Sequence, residues 1–170
     1  MGALRSVVSF RRIATSIAPF LLCMLPYAPA TSASDNSAHK IAVIVHRDMR
    51  NERLNQTALA NIYRRKLSVD SHGQTFVPVN LPVSTTLREA FASAMFQQSP
   101  QEMEAYWNEQ YYQGISPPYV LDSTLSMLRF VAVTPGAIGY VLDCQVTNDV
   151  AVALVLPIDT EHAAITETCD

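Results

Sequence analysis

The chain has 170 residues, of which 49% are hydrophobic and 16% charged, so it carries enough apolar material for one folded domain. The formal net charge is −3 and no long basic run occurs, which argues against a nucleic-acid-binding surface. The four histidines and three cysteines are scattered without the spacing of metal ligands, so we expect neither a metal site nor a cofactor.

The first 33 residues have the pattern of a secretory signal peptide. Three arginines precede an uncharged apolar stretch at 13–30, and small residues follow it. We expect cleavage after Ala33, with Ala30 as the alternative. An uncleaved membrane anchor is disfavoured because three prolines interrupt a stretch that is short for a spanning helix. The mature chain is therefore predicted to be periplasmic or secreted, and to begin with a polar linker at 34–39.

Strands and helices are predicted to alternate in one domain over 40–158, followed by a tail at 159–170. Short apolar or β-branched runs predict strands at 40–46, 75–81, 137–142 and 151–156. Capping residues and helical spacing of apolar side chains predict helices at 56–63 and 87–96, and helices that begin near Pro100 and Thr124. This alternation predicts an α/β fold with a mixed, largely parallel sheet flanked by helices.

The most informative segment is TPGAIGYV at 134–141. Pro135-Gly136 predicts a turn that ends the preceding helix. The run that follows predicts a strand buried on both faces, and Gly139 marks a position where another group approaches the backbone closely.

Two cysteines, Cys144 and Cys169, remain once the signal peptide is removed. An even pair in an oxidising compartment favours a disulfide between them. Two unpaired cysteines are the alternative, because the residues around Cys169 have the composition of a mobile terminus.

Four segments resemble, in the same order, the sequence pattern of phosphate-type periplasmic solute-binding proteins. They are LNQTALANIYRRK (54–66), FVPVNLP (76–82), LREAF with YW beyond it (87–91 and 106–107), and PGAIGYV (135–141). The resemblance implies one lobe of a type II periplasmic binding protein, the second in chain order. It also implies a non-enzymatic protein that binds phosphate or a similar oxyanion for ABC-type transport or sensing.

The resemblance further implies where the anion would bind. The family uses a serine-glycine-threonine at a helix N-terminus and an arginine four residues before the serine. The matching positions here are Ser84, Thr85, Thr86 and Asn80, so threonine replaces the glycine and asparagine replaces the arginine. Free N–H groups at a helix N-terminus attract anions, and Arg88, one turn into the helix, would restore part of the lost charge. The alternative is that Ser84, Thr85 and Thr86 only cap the helix.

A single lobe leaves the anion open to solvent, so we expect weak binding. The expected partners are an ABC permease, another envelope protein, or a second copy of the chain that rebuilds a two-sided cleft. An alternative function is a single-lobe interaction module of the cell envelope that has lost ligand binding. No nucleophile-elbow motif accompanies Ser84, Asp122 and His72, so we do not interpret them as a hydrolase triad. We therefore expect no enzymatic activity.

Overall fold

The computed structural model describes residues 39–52, 54–159 and 162. The predicted signal peptide, most of the linker and most of the tail lie outside the described residues. The strands are β1 Lys40–Val45, β2 Val77–Asn80, β3 Tyr119–Val120, β4 Ala137–Leu142 and β5 Ala151–Pro157. The α-helices are α1 Gln56–Tyr63, α2 Thr86–Phe96, α3 Pro100–Tyr112 and α4 Thr124–Val133, and short 3₁₀ turns occur at Arg47–Met49 and Asp143–Gln145.

The five strands form one sheet in the order β3-β2-β4-β1-β5. Strand β2 is parallel to both β3 and β4, whereas β1 is antiparallel to both β4 and β5. Four strands therefore run in one direction and β1 runs against them. This confirms the predicted α/β fold with a mixed, largely parallel sheet flanked by helices.

Strand β4 is buried along its whole length, and its two faces meet different helices. A Cβ atom at Gly139 would lie 2.6 Å from Cγ of Met127 and 3.2 Å from Cγ2 of Val131, both in α4. The next residue, Tyr140, faces the opposite side and stacks on Phe91 of α2, with ring centroids 3.8 Å apart. The close approach predicted at Gly139 is therefore that of α4.

The turn predicted at Pro135-Gly136 is confirmed, because α4 ends at Val133 and β4 begins at Ala137. Gly136 has a φ of +78°, a conformation that strongly favours glycine. Its carbonyl accepts a 2.8 Å hydrogen bond from the Val77 N–H, so the turn also fixes the start of β2.

Local capping signals position three of the four helices. The side chain of Asn55 caps α1, Ser99 and Glu102 form a capping box at α3, and Ser123 caps α4. Strand β3 was not predicted, because it has only two exposed residues within what looks like a loop. Among the described residues, no helix combines the length and the apolar character that crossing a bilayer requires.

Candidate functional site

A cavity of about 260 Å³ opens at the carboxyl end of β2, the edge where α/β sheets commonly bind ligands. Its walls come from the end of β2 and the loop after it, from α2, from α3, and from the segment that leads into β3. The lining residues are Asn80, Leu81, Val83, Arg88, Pro100, Gln101, Glu104, Trp107, Pro117, Pro118 and Val120.

Arg88 is the most unusual residue of this cavity. It is only 6% exposed, and its Nε and Nη1 atoms are buried without a hydrogen-bond partner among the described residues. The same part of the chain contains no ion pair of a lysine or arginine side chain within 4.0 Å. A buried charge costs several kcal/mol unless it is paired, so an arginine in this position needs an explanation.

The sequence around Arg88 explains why the side chain is held inside. Leu87 and Phe91 of α2 are fully buried, and Arg88 lies between them in sequence on the buried side of the helix. Its charge acts on the aromatic cluster beneath it. Burial, followed by the neighbouring Tyr140, raises the pKa of the Tyr63 phenol well above its ordinary value, and the charge of Arg88 opposes that shift.

Asn80 is the second polar group of the cavity and is fixed by its neighbours. The backbone carbonyl of Asn80 accepts a 2.8 Å hydrogen bond from the N–H of Leu121, the residue after β3. The Tyr140 hydroxyl accepts a hydrogen bond from the Leu81 N–H at 3.1 Å and lies 3.5 Å from Oδ1 of Asn80, to which it donates. The hydroxyl of Tyr140 thus occupies Oδ1 of Asn80, whose amide group lies at the cavity wall.

The three hydroxyl residues predicted for the site lie beside the cavity but not in its lining. Ser84 is exposed. Thr85 occupies the N-cap position of α2, yet its side chain makes no capping hydrogen bond and its hydroxyl donates instead to the Pro82 carbonyl at 2.9 Å. Hydroxyl capping by Thr85 is therefore wrong, and the first N–H groups of α2, beginning at Thr86, lack intrahelical acceptors.

The predicted site thus divides into two parts. Asn80 and Arg88 come together in one cavity, whereas Ser84, Thr85 and Thr86 border it through Val83. In the sequence, Trp107 was noted only as part of the YW segment of the resemblance, and the Pro117-Pro118 pair had no predicted role. Nothing in the local pattern indicates that these residues of α3 and of the loop face the end of β2.

Cys144 is disulfide-bonded, and Cys169 lies outside the described residues, so their pairing stays a prediction. The side chains of His39, Asp143 and Cys144 bring potential ligand atoms within 4.8 Å of one another. A disulfide sulfur is not a thiolate, the form that binds metals, and this group is therefore not interpreted as a metal site.

No family model matches the chain, and no match was found among curated proteins. Solved structures do match. An ABC-type phosphate transport receptor from Vibrio cholerae aligns with a TM-score of 0.54 at 19% identity, over 67% of this chain and 45% of the receptor. A protein from Clostridium perfringens, assigned as a phosphate ABC transporter substrate-binding protein and solved with bound phosphate, aligns with a TM-score of 0.54 at 16% identity, over 73% of this chain and 57% of that protein.

PstS from Borrelia burgdorferi also aligns, with a TM-score of 0.52 at 12% identity, over 72% of this chain and 48% of PstS. At these identities the likeness establishes the fold. The chain matches about half the length of each of these proteins, in agreement with the single lobe implied by the sequence resemblance. These neighbours are named as phosphate receptors or transporter binding proteins.

Proposed function

We propose that this chain is an exported, non-enzymatic solute-binding domain that binds a small oxyanion at Arg88 and Asn80 and serves ABC-type transport or sensing. The observation that carries the proposal is the buried guanidinium of Arg88, which lines a cavity and has two unpartnered nitrogen atoms. An oxyanion bound in the cavity would supply the counter-charge that Arg88 lacks among the described residues.

The guanidinium can form two parallel hydrogen bonds with an oxyanion, and such charge-assisted pairs are stronger than neutral ones. The Nδ2 group of Asn80 adds a neutral donor. The N-terminus of α2 lies close by, because the loop residue Val83 just before this helix lines the cavity, and its helix dipole favours an anion. Binding is expected to be weak, in the millimolar to high micromolar range, because the cavity is open to solvent on one side.

A structural similarity and a sequence pattern support the transport or sensing role. The described fold is similar to that of phosphate-binding ABC transporter proteins, one of which was solved with phosphate. The N-terminal sequence pattern favours export to the periplasm, where a soluble binding domain would meet its ligand.

Calorimetric titration of the purified protein with phosphate and with sulfate tests this proposal. We expect a measurable heat at millimolar anion that disappears in Arg88→Gln. Arg129→Gln is the matched control, because Arg129 is also helical but exposed, and it should leave the heat unchanged. Absence of heat for the unmodified protein with any anion, including organic ones, would refute anion binding.

An interaction module is the second candidate, and the exposed edge of the sheet favours it. Tyr119 and Val120 of the edge strand β3 are 72% and 59% exposed, and Tyr111 and Tyr112 at the end of α3 are also exposed. Such apolar side chains beside an unpaired strand edge suit contact with an envelope protein, an ABC permease or a second copy. Light scattering tests the homodimer, and a mass equal to one chain would exclude it.

A further inference from the structure

We infer that the preferred ligand of this cavity is an organic carboxylate with an apolar body, rather than a bare inorganic oxyanion. This inference rests on the proposed anion binding at Arg88 and specifies the ligand class. It follows from three features of the cavity: its apolar walls, its size and its balance of charges.

The walls are mostly apolar. Seven of the eleven lining residues are apolar, and they come from every wall except α2, whose only lining residue is Arg88. These residues are Leu81, Val83, Pro100, Trp107, Pro117, Pro118 and Val120. Sites for small organic ligands have this composition, with a few polar groups that fix the orientation of the ligand. A hydrated inorganic anion would gain nothing from such walls.

The size also suits an organic molecule. A volume of about 260 Å³ lies just below the range of about 300–1,000 Å³ of pockets that hold drug-sized molecules. A small inorganic anion at Arg88 would leave most of this space, and the apolar surface around it, facing water. A ring or branched chain attached to the anionic group would cover that surface.

The indole wall is held in place. Trp107 packs edge-to-face against Tyr106, with ring centroids 4.9 Å apart. The Tyr106 hydroxyl in turn donates a 2.7 Å hydrogen bond to the Arg64 carbonyl, which ties α3 to the end of α1. The apolar wall is therefore preformed, so an apolar ligand would not have to order it on binding.

The charges of the cavity favour a single negative charge on the ligand. Arg88 is the only cation among the described residues that line the cavity, and the exposed carboxylate of Glu104 also lines it. A carboxylate carries one charge and matches the planar fork of the guanidinium. A doubly charged phosphate would be repelled more strongly by Glu104.

The test compares ligands that share one feature at a time. Phenylacetate, acetate and phosphate are titrated calorimetrically into the full chain, with phenylacetamide as the uncharged control. We expect phenylacetate to bind at least about tenfold more tightly than acetate or phosphate, because its ring buries apolar surface. Phenylacetamide should not bind measurably, and Arg88→Gln should abolish binding of all three anions.

Two variants locate the ring. Trp107→Ala should weaken phenylacetate severalfold and leave acetate unchanged. Val83→Ser should have the same effect, and it is a useful second variant because Val83 is 62% exposed and its replacement should not disturb folding. Equal, Arg88-dependent binding of acetate, phosphate and phenylacetate would overturn this inference and leave the proposed function intact. Binding of phenylacetamide as tight as that of phenylacetate would overturn it as well, and no binding of any anion would refute both.

Discussion

Replacement of Arg88 by methionine should stabilise the unliganded protein while it abolishes anion binding. In most proteins the loss of a buried arginine is destabilising, because its partners are left unpaired. Here the described residues provide no partner for Nε or Nη1, so the substitution removes a desolvated charge without breaking a hydrogen bond of either atom. Methionine retains an unbranched apolar chain that can cover the same part of the core.

The size of the effect follows from the burial of Arg88, which is only 6% exposed. Replacement of buried ionic groups by apolar side chains is worth about 1–4 kcal/mol in favourable cases. Loss of the packing made by the guanidinium should reduce this gain, so we expect a net stabilisation of about 1–3 kcal/mol. For a domain of this size, the melting temperature should rise by about 4 °C per kcal/mol.

Urea denaturation of protein dialysed free of phosphate and organic acids measures this difference directly. The control is Arg129→Met, an exposed position on α4, which should change the free energy of unfolding by less than about 0.5 kcal/mol. A loss of more than about 1 kcal/mol in Arg88→Met would show that Arg88 has a structural partner. Anion binding at Arg88 would then lose its main support.

Three further predictions follow from the described contacts. Gly136→Ala should lower the free energy of unfolding by more than about 3 kcal/mol, because a Cβ atom there would lie 2.1 Å from the backbone oxygen of Thr75. Gly114→Ala is the control: it has nearly the same φ but open space around it, and should cost only about 1 kcal/mol. Equal losses in urea denaturation would contradict the clash. Glu104→Gln should tighten carboxylate binding about two- to fivefold in calorimetry, because it removes a like charge from the cavity, and weaker binding would mean that Glu104 holds a positive group of the ligand. Hydrogen bonds from Ser99, mainly from its backbone N–H and then from its hydroxyl, lower the pKa of Glu102 below its ordinary value of 4.5. The stabilisation that results is complete above pH 4.5 and is lost as the pH falls through the lower pKa of the folded state. Glu102→Gln should therefore lose less stability on acidification than the unmodified protein does, as measured by acid denaturation.

The parts of the fold that depend on local chemistry could be predicted from the sequence. Side-chain caps such as Asn55 and Ser99 involve residues within one helical turn, so the sequence alone contains both partners. The buried strand at 137–142 was predicted correctly because its apolar run is bounded by a Pro-Gly turn. The role of Gly139 was also visible, since a glycine within a buried strand indicates a close neighbour.

The chemistry of the cavity could not be read in the same way. That Arg88 lies in a helix can be predicted from the sequence. Its lack of hydrogen-bond partners cannot, because that depends on side chains from distant segments. The hydroxyl of Thr85 could cap α2 or bond to Pro82, and only the path of the loop decides between them. Strand β3 has too few residues for a periodic pattern and exists because β2 offers it a free edge.

The position of β1 has a consequence for how the chain folds. The first strand of the sheet lies between β4 and β5, the last two to be synthesised. Every hydrogen bond of β1 to the sheet therefore closes a long loop, and such non-local pairing slows folding. A nascent chain can form single helices early, but β1 cannot pair with β4 until synthesis has passed Leu142, nor pair fully with β5 until it has passed Pro157. Truncation before β5 should therefore leave β1 without one of its two neighbours.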